Sequence, residues 1–117
     1  MISPEYYRDA RMKAAHHIQA RIERAPDGAS WRFKVTRVFR GPLKRGAILL
    51  LTLNMRPLGP PVLGEPIYSD WEEFKAAKYI EAFLDGDPPD VVMEQIKFLK
   101  HRPWGRVGNP ARMSYDW

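Results

Sequence analysis

A mainly-β domain of five short strands with short helices is what this sequence predicts, on three observations. Apolar and polar residues alternate with a period of two through 15–24 and again through 31–35. Turn-forming clusters, Pro26-Asp27-Gly28 and Asp85-Gly86-Asp87-Pro88-Pro89-Asp90, separate neighbouring apolar segments. At 117 residues and 44% hydrophobic content, the chain has material for one core and not two. Residues 1–117 therefore read as a single domain.

Residues 4–13 suit an N-terminal helix: Ser3 stands as N-cap, Pro4 takes the first position and Glu5 falls in the first turn. The period then changes. His16, Ile18, Ala20 and Ile22 share one face of a strand, and His17, Gln19, Arg21 and Glu23 share the other, the pattern of a half-buried strand. The turn at 26–28 leads into a second strand, 31–39, whose outward residues are largely basic, so 15–39 form a β-hairpin. After Val35 the alternation slips, because Val38 rather than Arg37 is apolar. A β-bulge or sharp bend near Thr36 returns Val38 to the core face.

Residues 41–46 are a connector. The next segment, 47–53, is apolar on both faces and is expected to be a central strand. Residues 55–69 hold four prolines and two glycines and form a long loop. One or two helical turns over 70–75 follow, capped by Ser69 or Asp70. Residues 78–84 and 91–99 are the fourth and fifth strands, around the turn at 85–90, and the tail, about 100–117, is irregular. Five strands in hairpin order, with one long loop carrying a small helix, specify a five-stranded Greek-key barrel of the OB type.

Net charge is +5 and unevenly spread. Residues 31–46 carry six basic groups and no acid, and residues 65–94 carry nine acids against two lysines. Opposite blocks are read first as neutralising one another in the fold, with an anion-binding face as the alternative. The absence of cysteine excludes disulfides, thiolate metal sites and a cysteine nucleophile. No stretch approaches the ~18 apolar residues of a membrane span. The N-terminus lacks an apolar signal core, so the expected location is cytoplasmic, or the cell envelope if an upstream signal has been removed.

No motif carries catalysis or a cofactor, and the expectation is a non-enzyme without cofactor or metal. His16 and His17 are neighbours on a strand, point to opposite faces and do not share a metal; His16 is expected as a hydrogen-bonded interior residue. Asp85, Asp87 and Asp90 imitate the start of a calcium loop, but Asp90 and Ile96 stand where glycine and glutamate are needed. Residues 41–46 imitate a phosphate loop, but Ala47 replaces its lysine. No G-x-S-x-G elbow is present, and Glu72-Glu73 on a short helix reads as exposed.

The stretch Phe33-Lys34-Val35-Thr36-Arg37-Val38-Phe39-Arg40-Gly41, then Gly46 and an apolar strand, then Lys78-Tyr79-Ile80-Glu81-Ala82-Phe83-Leu84, resembles the bacterial branch of netrin-like, or metalloproteinase-inhibitor-like, OB-fold domains. The likeness covers about residues 15–99 and rests on hydrophobic spacing with two glycines. It implies an OB-type fold without catalysis, often in exported proteins. Inhibition through an N-terminal cysteine is not implied, since this chain has none.

What remains is a basic and aromatic set. Arg32, Lys34, Arg37 and Arg40 lie on the second strand, and Lys97, Arg102, Trp104 and Arg106 lie towards the C-terminus, with His101, Arg112, Tyr115 and Trp117 beyond. These are the candidate ligand-binding residues. By parity Trp31 and Phe33 face inward, opposite Arg32 and Lys34, and Trp104 and Trp117 are expected to pack the tail onto the barrel. The expected function is a binding module for an unknown protein partner or other surface ligand. The alternative is a single-stranded nucleic-acid binder, which stacks bases on aromatic rings beside a cationic groove.

Overall fold

The computed structural model describes residues 3–26, 31–53 and 71–114. Helix α1 is Pro4–Lys13, and strands β1 (His16–Arg24), β2 (Trp31–Arg40) and β3 (Ile48–Leu49) follow. Helix α2 (Trp71–Ala76), β4 (Tyr79–Asp85) and β5 (Asp90–Leu99) complete the described elements. The five strands form one antiparallel sheet in the order β3-β2-β1-β4-β5. Backbone pairing does not close the sheet into a barrel among the described residues. The Asp27-Gly28 turn, the 55–69 loop, the Ser69 or Asp70 cap, Tyr115 and Trp117 lie outside the described residues.

Helix α1 begins as its sequence dictates. The Ser3 hydroxyl accepts the Glu5 N–H at 3.4 Å, and Pro4 needs no acceptor. At its other end the Arg40 guanidinium donates to the Arg11, Met12 and Ala14 carbonyls at 2.8, 3.2 and 3.0 Å. Those carbonyls have no partner inside the helix, and a cation there also suits the helix dipole. Arg40 is thus a capping residue, a role that strand parity gave no reason to expect.

The bulge falls where the slipped alternation puts it. Gln19 pairs with Arg37 and Ala20 with Val35, so Thr36 is the unpaired extra residue, and Val38 packs against the core. A second irregularity leaves Phe39 unpaired between Val38 and Arg40. The core face of the sheet carries Ile18, Ala20, Ile22, Phe33, Val35, Ile80, Ala82 and Leu84, all buried. Helix α2 closes this face with Phe74, whose ring meets Trp31 and Phe98 edge-on at 5.0 and 5.6 Å. Burying such a ring stabilises the fold by roughly 2–3 kcal/mol.

Two expectations are corrected here. Among the described residues the 47–53 segment lies at the edge of the sheet and not at its centre: Ile48 and Leu49 pair with β2, and Leu50 is 77% exposed. Its apolar run is longer than the buried part needs. The outer face of β1 is not a solvent face either, since His17 and Gln19 are each 2% exposed. Helix α1 and the tail cover them, and the half-buried reading of that strand holds only beyond Ala20.

Candidate functional site

Cross-strand register arranges this second face in rows, because directly paired residues project to the same side. The first row is Arg40, His17 and Phe83; the second is Arg37, Gln19, Glu81 and Lys97. The third is Ile48, Lys34, Arg21, Tyr79 and Leu99, and the fourth is Arg32 and Glu23. Successive rows stand about 7 Å apart along the strands. Helix α1 covers the first row, where Ala14, Phe83 and Val92 pack together and His17 stacks on Phe83 at 4.1 Å.

The tail covers the second row as a strap, residues 104–112, held by its backbone. The Trp104 carbonyl accepts from Arg37 Nη1 at 2.7 Å, and the Gly105 carbonyl accepts from Gln19 Nε2 at 2.7 Å. The Val107 and Gly108 N–H groups donate to the two Glu81 carboxylate oxygens at 2.8 and 3.2 Å. Arg11, fully buried, donates to the Pro110 carbonyl at 3.3 Å, to the Arg112 carbonyl and to Gln95 Oε1. Gln95 reaches that position because β5 bulges: Ala82 pairs with Ile96 but Leu84 with Val91, and Met93 and Glu94 take positive φ.

Glu81 is the centre of this cluster. It is 0% exposed and also accepts from His17 Nε2 at 3.0 Å and Gln19 Nε2 at 2.6 Å. Burial alone pushes its carboxyl up. The bonds from His17, Val107, Gln19 and Gly108 together outweigh burial and hold it below the usual range. Sequence reasoning missed this cluster. The available signal was Glu81 itself, an acid in the middle of the apolar run Tyr79-Ile80-Glu81-Ala82-Phe83-Leu84.

His16 is buried as expected, but its Nδ1 has no hydrogen-bond partner among the described residues. It packs against Gly41, where an added Cβ would come within 2.6 Å of that nitrogen. In the turn between β4 and β5, Asp85 accepts from Gly86 N, and Asp90 Oδ1 accepts from Val91 N and Thr52 N. Among the described residues no three His, Asp or Glu side chains gather as a metal site.

The candidate ligand residues divide accordingly. Arg32 and Lys34 lie on the fourth and third rows, the more open pair, where Arg21, Arg32 and Ile48 are exposed and Lys34, Tyr79, Leu99 and Glu23 are half-buried; Arg21 is not among the expected ligand residues. Arg37 is exposed yet anchors the strap, while Arg40 caps α1. Lys97 stands half-buried opposite Glu81. Arg102, Trp104 and Arg106 are exposed in the tail. The expected packing of Trp104 is wrong: the residue is 99% exposed. Its neighbours' backbone groups are held down, and its ring is left out.

Charge separates across this face. The only acid on the two open rows, Glu23, is bonded to Arg21 at 3.0 Å and Arg32 at 3.4 Å. The Arg21 hydrogen bond foremost, and the Arg32 and Lys34 charges, hold its carboxyl below the usual range. Asp85 and Asp90 pair one step beyond Leu84, which lies opposite His16. The His16 and Glu23 rows are about 23 Å apart at strand rise, against a screening length near 8 Å. Glu72 and Glu73 belong to α2, on the other face. The acidic turn therefore does not neutralise Arg32 and Lys34; Glu65 and Asp70 of the same acidic block lie outside the described residues. No helix among the described residues is long and apolar enough to cross a membrane. No family model, curated protein or solved structure matches this chain.

Proposed function

We propose that this chain is a non-catalytic binding module that recognises a protein or another surface ligand bearing negative charge. The recognition surface is the pair of open basic rows together with the exposed side chains of the strap. The observation that carries this reading is Trp104. An indole 99% exposed is held on backbone anchored by Arg37, Gln19 and Glu81. Large rings on pre-positioned backbone lose little freedom on binding and supply much of the contact energy of recognition surfaces.

The non-catalytic part rests on access. Among the described residues the convergent polar set His17, Gln19 and Glu81, two of them titratable, is sealed beneath the strap, and both Glu81 oxygens are occupied. The concavity lined by Glu23, Arg24, Trp31 and Arg32 offers one carboxylate, already bonded to Arg32. The reading includes an OB-type barrel. It is supported by the bond from Thr52 N, just beyond β3, to Asp90 Oδ1 at the start of β5, 2.8 Å long.

Affinity capture from cell extract tests the reading, with the wild-type chain beside an Arg32→Glu/Lys34→Glu/Trp104→Ala variant. A partner held by the wild type and lost from a folded variant is the expected result. Partners retained equally by both would remove this face from the function.

A further inference from the structure

We infer that the ligand of this face is single-stranded nucleic acid, with a base stacked on the Trp104 indole and backbone phosphates on Arg21, Arg32 and Lys34. The inference rests on the reading of this face as a binding surface and names what that surface takes.

Composition of the face decides between partner classes. The centre of a protein–protein interface is depleted in charge and rich in apolar contact. Here the open rows run from exposed Ile48 at the sheet edge through half-buried Lys34 and exposed Arg21 to half-buried Tyr79 and Leu99, then exposed Arg32 and half-buried Glu23. Their centre is charged, and the charge is positive. Interfaces with nucleic acid are polar and strongly basic, and that is the match.

Trp104 adds the second element. At 99% exposure nothing packs on either face of its ring. Arg102 and Arg106, both exposed, flank it two residues away on each side. A flat ring open on both sides suits a base, because every base has a stackable face. Glu23 does not oppose this. Its carboxylate is bonded to the Arg21 and Arg32 guanidiniums, each of which keeps further N–H donors for a phosphate.

Geometry selects a single strand. Reading a duplex needs a helix or ribbon that enters a groove. Helix α1 is instead seated on the sheet, with Tyr7 and Arg11 buried, and the open rows are a sheet face. A ring reaches the face of a base only where the base is unstacked from its neighbour. The acidic turn at the far end of the sheet repels phosphates, so a bound strand is confined to the open rows and the strap.

The test is fluorescence anisotropy with a labelled oligothymidine of about 12 nucleotides, read at about 50 and about 200 mM salt. Three neutralised phosphates predict a slope near −2 in log affinity against log salt, so this rise weakens binding about 20-fold. Trp104→Ala is expected to weaken binding about 5- to 150-fold, with partial recovery in Trp104→Phe. Arg32→Ala/Lys34→Ala is expected to flatten the slope by about 1.4. Urea unfolding of each variant verifies that it is folded.

Labelled oligoglutamate and a duplex of the same length are titrated in parallel. Weak binding of both, alongside Trp104-dependent binding of the oligothymidine, supports the inference. Oligothymidine binding that Trp104→Ala leaves unchanged overturns it, as does a duplex bound equally well. Oligoglutamate bound through Trp104, without the oligothymidine, overturns the ligand class and leaves the binding face standing. If neither probe binds and no captured partner depends on the face, both readings fall together.

Discussion

Glu81→Gln is the substitution that most directly tests how this molecule is held together. The change keeps the side chain's shape and removes its charge. On one oxygen Glu81 accepts from Gln19 and Val107, at 2.6 and 2.8 Å, and on the other from His17 and Gly108, at 3.0 and 3.2 Å. A glutamine oxygen in the first position keeps Gln19 and Val107, but as neutral bonds of about half the strength. Its amide then faces two donors. His17 can present its other tautomer and accept, whereas the Gly108 N–H cannot adapt and is left unpaired, at about 1–3 kcal/mol. The sum is about 2–4 kcal/mol, a large share of the roughly 5–15 kcal/mol that holds a domain folded. With a urea dependence of about 2 kcal/mol per molar, the middle of the usual range, the unfolding midpoint should fall by about 1–2 M. Circular dichroism measures the midpoint, and hydrogen exchange should show faster exchange at the Val107 and Gly108 amides. An unchanged midpoint with unchanged exchange at those amides would refute the idea that Glu81 ties the strap to the sheet.

Three further outcomes follow from the same contacts. The Glu81 carboxyl is held below its usual range, so its stabilisation is full above the unfolded-state value near 4.3 and is lost as pH falls through the folded value. The gap in urea midpoint between wild type and Glu81→Gln should therefore be constant from about pH 7 to pH 5 and narrow as pH falls further; a gap that widens in acid would contradict this. Arg40→Ala removes the donor to two α1 carbonyls and to that of the C-cap Ala14 and should cost about 1–2 kcal/mol, measured by thermal unfolding, with α1 amides the most deprotected. Gly41→Ala places a Cβ 2.5 Å from the Ala15 carbonyl oxygen at a φ of +100°. Both the backbone clash and the left-handed conformation oppose it, and a loss of more than about 1 kcal/mol is expected in the same assay.

Sequence period determined which side chains share a face, and it did so well. The inward side of the hairpin, the bulge near Thr36, the start of α1 and the two strands at 78–84 and 91–99 all follow from local spacing, since strand parity is a property of consecutive residues. Parity says nothing of what lies on top. The polar face of β1 is covered because Glu81, Gln19, Arg37 and Arg11 capture backbone groups between 86 and 101 residues away from β1 or α1 in the chain, or between 26 and 67 from β4 and β2. Those bonds go to peptide groups, which every residue has, so no side-chain pattern announces them. For the same reason Trp104 was misjudged. An aromatic in a tail reads as packing material, yet the strap is fastened by its peptide groups and its ring is free to face water. The apolar run at 47–53 carried no mark that it would lie at the edge of the sheet. Residue order decided faces and turns; only the folded chain decided which face was sealed, where the acidic turn lay relative to the basic rows, and which ring was left exposed.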